Sequence, residues 1–462
     1  MERSEPPQLM AALLILSVLM VSIALSSFFS ISLIAAFAGG IVPVLALGVR
    51  KGQAPQELLK HCGASLWRIR GLFMIITLMG ISIAMWISSG AVAYLMQAGA
   101  GLTRGALFLP AAFLICALSS LCIGTALGTF STIGLAFYGM GKSAGIPDPL
   151  LVGALVSGVF LADRLAPMSG IVNLILSRSG LSYPEFFGHS WRRVAAVTAA
   201  CGAAYGVLGL LLPQASETGA GVIGVMTAAF AASPLLWLLP LLTFGLALRG
   251  VPTVWTLFAG VAAGFGFTVF LQRQSLATAL GYVLRGYSDQ AGVLKGGGIL
   301  GIAEVLGIVA MAVVYNELLA RTGITETLLT HLAGGIRTVS GLKRRMGVFS
   351  IGLTSLTCDQ TVGILLPLEA LRPFQKAGRV QAVESAVLVA DTGTLIAPLE
   401  FWNVNALVIM ALTGVPAWQY GPWAIFCWLS PLFYLVSPMA VRKGENSDIM
   451  SGQKLPKEDV LE

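Results

Sequence analysis

Ala162-Asp163-Arg164-Leu165-Ala166-Pro167-Met168-Ser169 lies inside an apolar run, with Gly170 and Asn173 just beyond it. The pattern returns 228 positions later, from 163 to 391, as Ala390-Asp391-Thr392-Gly393-Thr394-Leu395-Ile396-Ala397-Pro398, followed by Trp402-Asn403. A charge at the centre of a bilayer costs about 2.5–3.5 kcal/mol on insertion scales. Proline beside each aspartate removes a backbone donor and interrupts a helix. A chain that places a carboxylate at a helix break in each half is built to handle ions or protons.

Composition sets the surroundings of these two stretches. Of 462 residues, 56% are hydrophobic and 11% charged, against about 25% charged in soluble domains. Apolar runs long enough to cross a bilayer recur from residue 9 to residue 440. The fold class is therefore an all-α polytopic membrane protein. The net charge of +7 comes from basic residues in short loops, where they set orientation, and does not point to nucleic acid. Six cysteines and three histidines form no Cys-x-x-Cys or His-Glu-x-x-His pattern, so neither a metal framework nor a zinc protease is indicated. Gly139-Met140-Gly141-Lys142-Ser143 resembles the end of a phosphate loop, but Ala136 stands where the leading glycine belongs. ATP hydrolysis and other enzyme activity find no support.

Ten apolar segments read as spans: 9–27, 28–49, 72–96, 150–176 and 194–212, then 234–248, 251–271, 299–319, 386–412 and 423–440. The first is read as a retained helix, because only Arg3 precedes it and no small-residue cleavage site follows. Residues 106–140 and 346–368 are rich in Gly, Ser and Thr at their middles. Shifting the first-half elements by about 230 positions lands on the second-half elements in order, the internal repeat common in secondary transporters. This divides the chain into a first repeat, 1–214, a linker, 215–232, a second repeat, 233–442, and a disordered cytoplasmic tail, 443–462.

Basic loops at 50–70, after 176, before 346, at 372–379 and after 441 are assigned to the cytoplasm, as are both termini. Residues 346–368 have basic loops on both sides, so that segment is expected to enter the membrane and return. Residues 106–140 are expected to do the same from outside. The remaining five spans per half then run in opposite directions, an inverted-topology repeat with broken helices. Residues 50–70 and 272–298 are expected to lie as amphipathic segments on the surface.

The candidate cation- and proton-binding groups follow from these breaks. Asp163, with Ser169 and Asn173, and Asp391, with Thr394 and Asn403, offer hard oxygens beside interrupted backbone, suited to Na+. The first re-entrant candidate adds Thr129 and Thr132 within 124–134, which also reads as a Gly-x-x-x-Gly packing face. The second adds Asp359 and Gln360. Glu304 and Glu400 are weaker candidates, expected near an interface, and Trp418, Tyr420 and Trp423 read as an interfacial belt. Trp86-Ile87-Ser88-Ser89-Gly90 is a further candidate break.

Gly124-Thr125, Gly128-Thr129, Thr132-Ile133-Gly134, Gly145-Ile146-Pro147, Ser157-Gly158, Asp163-Arg164, Pro167, Ser169 and Asn173 together resemble the NhaC-type Na+/H+ antiporters. So do Asp359-Gln360, Asp391, Gly393-Thr394, Pro398-Leu399 and Trp402-Asn403. The resemblance covers roughly residues 9–440. It implies the ion-transporter superfamily, a bacterial inner membrane and Na+/H+ exchange driven by the proton gradient. The chain departs from the family pattern at Ala126, Gly170, Ile171-Val172, Cys358, Ala390 and Phe401, where the pattern favours Ser, Asp, a Thr pair, Gly, Glu and Pro. Several of the missing groups are oxygen donors. The resemblance also covers exchangers of organic acids such as malate and lactate.

The leading expectation is a Na+/H+ antiporter with Asp163 and Asp391 as the principal sites. Its partners are the lipid bilayer and the transported Na+ and H+, with a homodimer as a further expectation and no cofactor. The alternative is a proton- or sodium-coupled carrier of a small organic anion or amino acid, with Arg164 pairing a substrate carboxylate.

Overall fold

The computed structural model describes residues 6–29, 31–94, 107–167, 169–212, 230–231, 233–249, 251–288, 295–324, 339–357, 360–376 and 380–436. The tail at 443–462 and most of the linker at 215–232 lie outside the described residues. The described chain is helical apart from loops and one two-residue antiparallel ladder, β1 (Tyr287–Ser288) with β2 (Lys295–Gly296).

The first half opens with α1 (Pro6–Phe28) and α2 (Leu33–Arg50). The amphipathic α3 (Pro55–Arg68) buries Leu58, Cys62 and Ser65 and exposes Leu59 and Trp67. Then comes α4 (Arg70–Ser88). The second half repeats this order. A 3-10 turn leads into α5 (Leu238–Leu248), followed by α6 (Thr253–Gly266) and the amphipathic α7 (Leu276–Arg285), whose leucines 276, 280 and 284 face outward. It ends in α8 (Ala303–Arg321). The surface-lying segments expected at 50–70 and 272–298 are thus helices α3 and α7, with the β ladder following α7.

The two quartets pack on each other reciprocally. Helix α2 lies on α8, where Phe37 meets Tyr315 at 6.4 Å between ring centroids. Helix α6 lies on α4, and in the π-helical stretch Phe267–Leu271 that continues α6 the Thr268 hydroxyl bonds the Ser88 hydroxyl at 2.8 Å. The ends of α4 and α8 are also closed across the halves. Gln272 donates its amide to the Ser89 carbonyl at 2.9 Å, while Lys51 donates to Thr322 O at 2.7 Å and Gln53 to Arg321 O at 2.9 Å. These side chains satisfy C-terminal carbonyls that have no intrahelical partner. The break suspected at 86–90 is real: α4 ends at Ser88 and Gly90 takes a left-handed φ of 78°.

Both Gly/Ser/Thr-rich segments are helical hairpins. In the first, α9 (Phe108–Ile123) ends at Gly124, whose φ of 80° turns the chain, and Thr125 caps α10 (Ala126–Thr129). A π-helical stretch, Phe130–Gly134, runs into α11 (Leu135–Ser143), which returns to the start: Phe108 stacks near Phe137, 6.1 Å between centroids. The glycines of the false phosphate loop are helical and pack, Gly141 lying against Leu151 and Phe108. The second hairpin joins α12 (Val339–Thr357) to α13 (Gln360–Lys376). Ser350 donates to Gly363 O at 2.6 Å across it, so Lys343–Arg345 and Arg372–Lys376 emerge at the same end.

Each hairpin is followed by a broken helix. The first comprises α14 (Asp148–Val159), α15 (Leu161–Leu165), a break that begins at the extended Ala166, and α16 (Gly170–Ser179). The long α17 (Tyr183–Leu211) completes the half. The second comprises α18 (Ala382–Asp391), α19 (Gly393–Ile396), a 3-10 turn at Ala397–Leu399, and α20 (Val404–Thr413). A short α21 (Ala417–Tyr420) leads to α22 (Ile425–Val436). Among the described residues, seven helical stretches are long and apolar enough to cross a membrane. Several other segments read as spans are shorter apolar helices, 10–17 residues long. The chain is a multi-pass, all-α membrane protein.

Close backbone approach fixes this core. A Cβ on Gly153 would stand 2.6 Å from the Trp423 carbonyl carbon, and one on Gly158 would stand 2.5 Å from Phe113 O. Overpacking of this kind costs about 1–3 kcal/mol. Gly158→Ala is therefore expected to lower the melting temperature of the purified protein, and an unchanged melt would count against the close α9–α14 contact. Tyr205 on α17 ties the same region together. Its hydroxyl donates to Trp423 O at 2.7 Å, accepts from Ile425 N at 3.2 Å and bonds the Ser157 hydroxyl at 2.7 Å. Orphaning such buried groups costs about 1–3 kcal/mol, so Tyr205→Phe is expected to destabilise by that amount in a thermal melt.

The three residues read as an aromatic belt differ in exposure. Trp418 is exposed and Trp423 partly so, but Tyr420 is fully buried, its hydroxyl on the Pro398 carbonyl. Cys62, Cys116, Cys201 and Cys427 are free and buried. Burial, with Glu317 nearby, pushes the Cys62 thiol up, which makes it less reactive.

Candidate functional site: carboxylates at two helix breaks

Asp163 sits in α15, where the broken helix passes the end of the first hairpin. Pro167 cannot continue the helix, so Ala166 is extended, and Ser169, also extended, becomes the N-cap of α16. The Ser169 hydroxyl accepts from Ile171 N at 3.2 Å and Val172 N at 3.5 Å, and donates to Asp163 Oδ1 at 3.2 Å. One hydroxyl thus couples the carboxylate to the positive end of a half-helix. The Ala126 amide, at the start of α10, also donates to Asp163. Asp163 is buried, and among the described residues no Lys, Arg or His forms an ion pair with it.

The neighbouring predicted groups serve the backbone. Thr129 is buried and donates to Thr125 O at 2.8 Å. Asn173 is exposed on α16, and its amide clamps the break by donating to Pro167 O at 3.1 Å and Ser169 O at 2.9 Å. The Thr132 side chain lies outside what the structure describes, as does Asp359.

Asp391 ends α18 and is completely buried. Arg164, from the other half, donates through Nε to its Oδ1 at 2.6 Å, and the Ser430 hydroxyl donates to the same oxygen at 2.8 Å. Arg193 reaches Oδ2 at 3.4 Å. Arg164 is itself fully buried, with its guanidinium 5.5 Å from the centroid of Phe186. Its two terminal nitrogens find no acceptor among the described residues. The two aspartates are thus unlike: Asp163 holds neutral donors, whereas Asp391 holds two guanidinium groups. Thr394 is buried beside the break and donates to Val389 O at 3.1 Å.

A third buried carboxylate lies further along the second break. Glu400, expected near an interface, is buried where the second broken helix meets the second hairpin. It accepts the Ser355 hydroxyl on one oxygen and the Asn403 amide, at 3.4 Å, on the other. Asn403 caps α20, and the Gln360 carbonyl oxygen accepts from Asn405 at 3.4 Å. Glu304 is exposed and takes the Ser32 hydroxyl at 2.6 Å. The signal for Glu400 was its position three residues before an N-cap.

Buried carboxylates at broken helices inside a polytopic bundle are the mark of a secondary transporter. The match to known sequences gives the class its family. A model of the Na+/H+ antiporter family matches residues 191–440, more than half of the chain, and the chain belongs to that family. It is 28% identical over 375 residues to the Na(+)/H(+) antiporter NhaC of Alkalihalophilus pseudofirmus, covering 78% of this chain and 80% of the relative. It is 27% identical over 403 residues to the arginine/ornithine antiporter ArcD of Halobacterium salinarum, covering 83% and 82%. It is 24% identical over 404 residues to the malate-2H(+)/Na(+)-lactate antiporter of Bacillus subtilis, covering 83% of each.

Proposed function

We propose that this chain exchanges Na+ for H+ across a bacterial inner membrane by alternating access, with Asp163 as the carboxylate for which the two ions compete. The observation that carries this reading is a buried Asp163 carboxylate held by a hydroxyl and an amide, with no cationic side chain on it among the described residues. Such a group holds a proton or a sodium ion, not both, so entry of one expels the other and couples the two flows without ATP. Each net charge carried across 100 mV is worth about 2.3 kcal/mol.

Thr129, Ser169 and Asn173 are the polar groups proposed for this break, and Gln360, Thr394 and Asn403 for its counterpart, with Thr132 and Asp359, which lie outside the described side chains, kept as proposed members on the sequence alone. Asp391 takes part when Arg164 leaves it: in the described conformation the guanidinium occupies the place of the cation. The two halves are proposed to form an inverted repeat of ten spans with both hairpins re-entrant. The reciprocal packing of α2 on α8 and of α6 on α4 supports this, as do the paired closures by Gln272 and by Lys51 and Gln53. Both termini then lie in the cytoplasm. Collapse of an established pH gradient on adding Na+ to everted vesicles tests the exchange. A gradient that Na+ leaves untouched overturns it.

The buried terminal nitrogens of Arg164 favour a second reading, exchange of a small organic anion or amino acid. Relatives named for arginine/ornithine and for malate/lactate lie within the same range of identity. A guanidinium fork fits a carboxylate in two-pronged fashion, which a lysine ammonium cannot. On this reading, labelled malate or arginine enters proteoliposomes carrying the wild type, and Arg164→Lys abolishes that entry. No uptake by the wild type removes the reading.

A further inference from the structure

Exchange at Asp163 makes no use of Glu400, yet the chain builds the same kind of setting around it. Glu400 is 6% exposed, and among the described residues no Lys, Arg or His forms an ion pair with it. Isolated buried carboxylates are costly unless they are compensated. Among the described residues the compensation comes from two neutral groups, the Ser355 hydroxyl and the Asn403 amide.

The surroundings are rich in oxygen. Ser355 lies in the last turn of α12 and Gln360 is the first residue of α13, so both arms of the second hairpin meet the carboxylate's network at their ends. Asn403 Oδ1 and Gln360 Oε1 are joined by the Asn405 amide, at 3.2 and 3.4 Å. Trp402 donates its indole N–H to Ser355 O at 2.8 Å and holds the end of α12 against the break. The carboxylate, the Ser355 hydroxyl and two amide oxygens therefore lie in one connected network. The Asp163 centre has the same components: a carboxylate, the end of a hairpin, and the N-cap residue of the following half-helix.

We propose that Glu400 forms a second binding site for a monovalent cation of the sodium class, separate from Asp163 and from the Arg164–Asp391 pair. This inference rests on the sodium reading given above. Each chain then binds two sodium ions, one at each hairpin-and-break centre, and loading of the Glu400 site displaces a proton when that carboxyl is protonated.

Equilibrium binding of radioactive sodium to the purified protein in detergent tests this. Wild type is expected to bind two ions per chain, and Glu400→Gln and Asp163→Asn one each. Glu400→Gln preserves side-chain volume: its amide oxygen can accept from Asn403, and its NH2 can donate to the Ser355 hydroxyl, whose proton then goes to Ile351 O, 3.0 Å away. If it does not fold, Ser355→Ala serves instead, and is expected to weaken one of the two sites about tenfold, the loss of one hydrogen bond near a charge. Wild-type binding that Glu400→Gln or Ser355→Ala leaves unchanged overturns the Glu400 site while Asp163 stands. A wild type that binds no sodium overturns this proposal together with the sodium reading.

Discussion

Asp163→Asn is expected to reduce sodium-driven proton movement in proteoliposomes to the level of protein-free vesicles while leaving the fold intact. Asparagine fills the same volume and can still accept from the Ser169 hydroxyl and the Ala126 amide, the two contacts that seat the side chain. What it loses is the ability to carry a charge or a proton. The effect on transport should therefore far exceed the effect on stability, and a thermal melt within a few degrees of wild type separates the two. Asp163→Glu is expected to keep some exchange at altered sodium affinity, since it keeps the chemistry and moves the oxygens. Substantial exchange by Asp163→Asn would place the coupling carboxylate elsewhere.

The largest loss of stability is expected from Arg164→Ala. It strips the buried Asp391 of its 2.6 Å partner and leaves, among the described residues, Ser430 and the more distant Arg193. Breaking a buried pair from one side costs about 3–5 kcal/mol, because the remaining charge stays buried without compensation. The double variant Arg164→Met, Asp391→Leu removes both charges together, and apolar replacement of a buried pair is often neutral or stabilising. The double variant is therefore expected to melt well above Arg164→Ala, and a melt no higher would refute the pairing. Because Arg164 and Asp391 come from different halves, the single variant should also loosen the contact between α15 and α18–α19, readable as faster amide exchange at both breaks.

Much of the architecture was legible from periodicity and punctuation. Uninterrupted apolar runs marked the helices, Pro167 and Pro398 marked the two breaks, and basic loops on both sides of 346–368 required a segment that turns back. That segment is indeed the α12–α13 hairpin. The number of spans was less legible. A broken helix divides into pieces such as α18 and α20, of ten residues each, and neither piece alone reaches the length of a full crossing.

The pairing of Arg164 was not legible at all. It adjoins Asp163 in sequence, which invites a local ion pair, but consecutive residues on a helix point about 100° apart and cannot face each other. Arg164 is thereby directed away from Asp163 and toward the other half. Glu400 was misplaced for a different reason. Its neighbour Trp402 suggested an interface, yet that indole is turned inward onto Ser355 O.

The cross-closures of α4 and α8 bear on how the chain is made. The Ser89 carbonyl waits for Gln272, 183 residues downstream. At about 5–20 residues per second of synthesis, the first half spends roughly 10–40 s in the membrane with that helix end unsatisfied. During this interval the nascent chain depends on water, headgroups or the insertion machinery to occupy the vacant acceptor. Slowing translation between positions 90 and 272 should therefore increase degradation of the newborn protein, even though the finished one is unaltered.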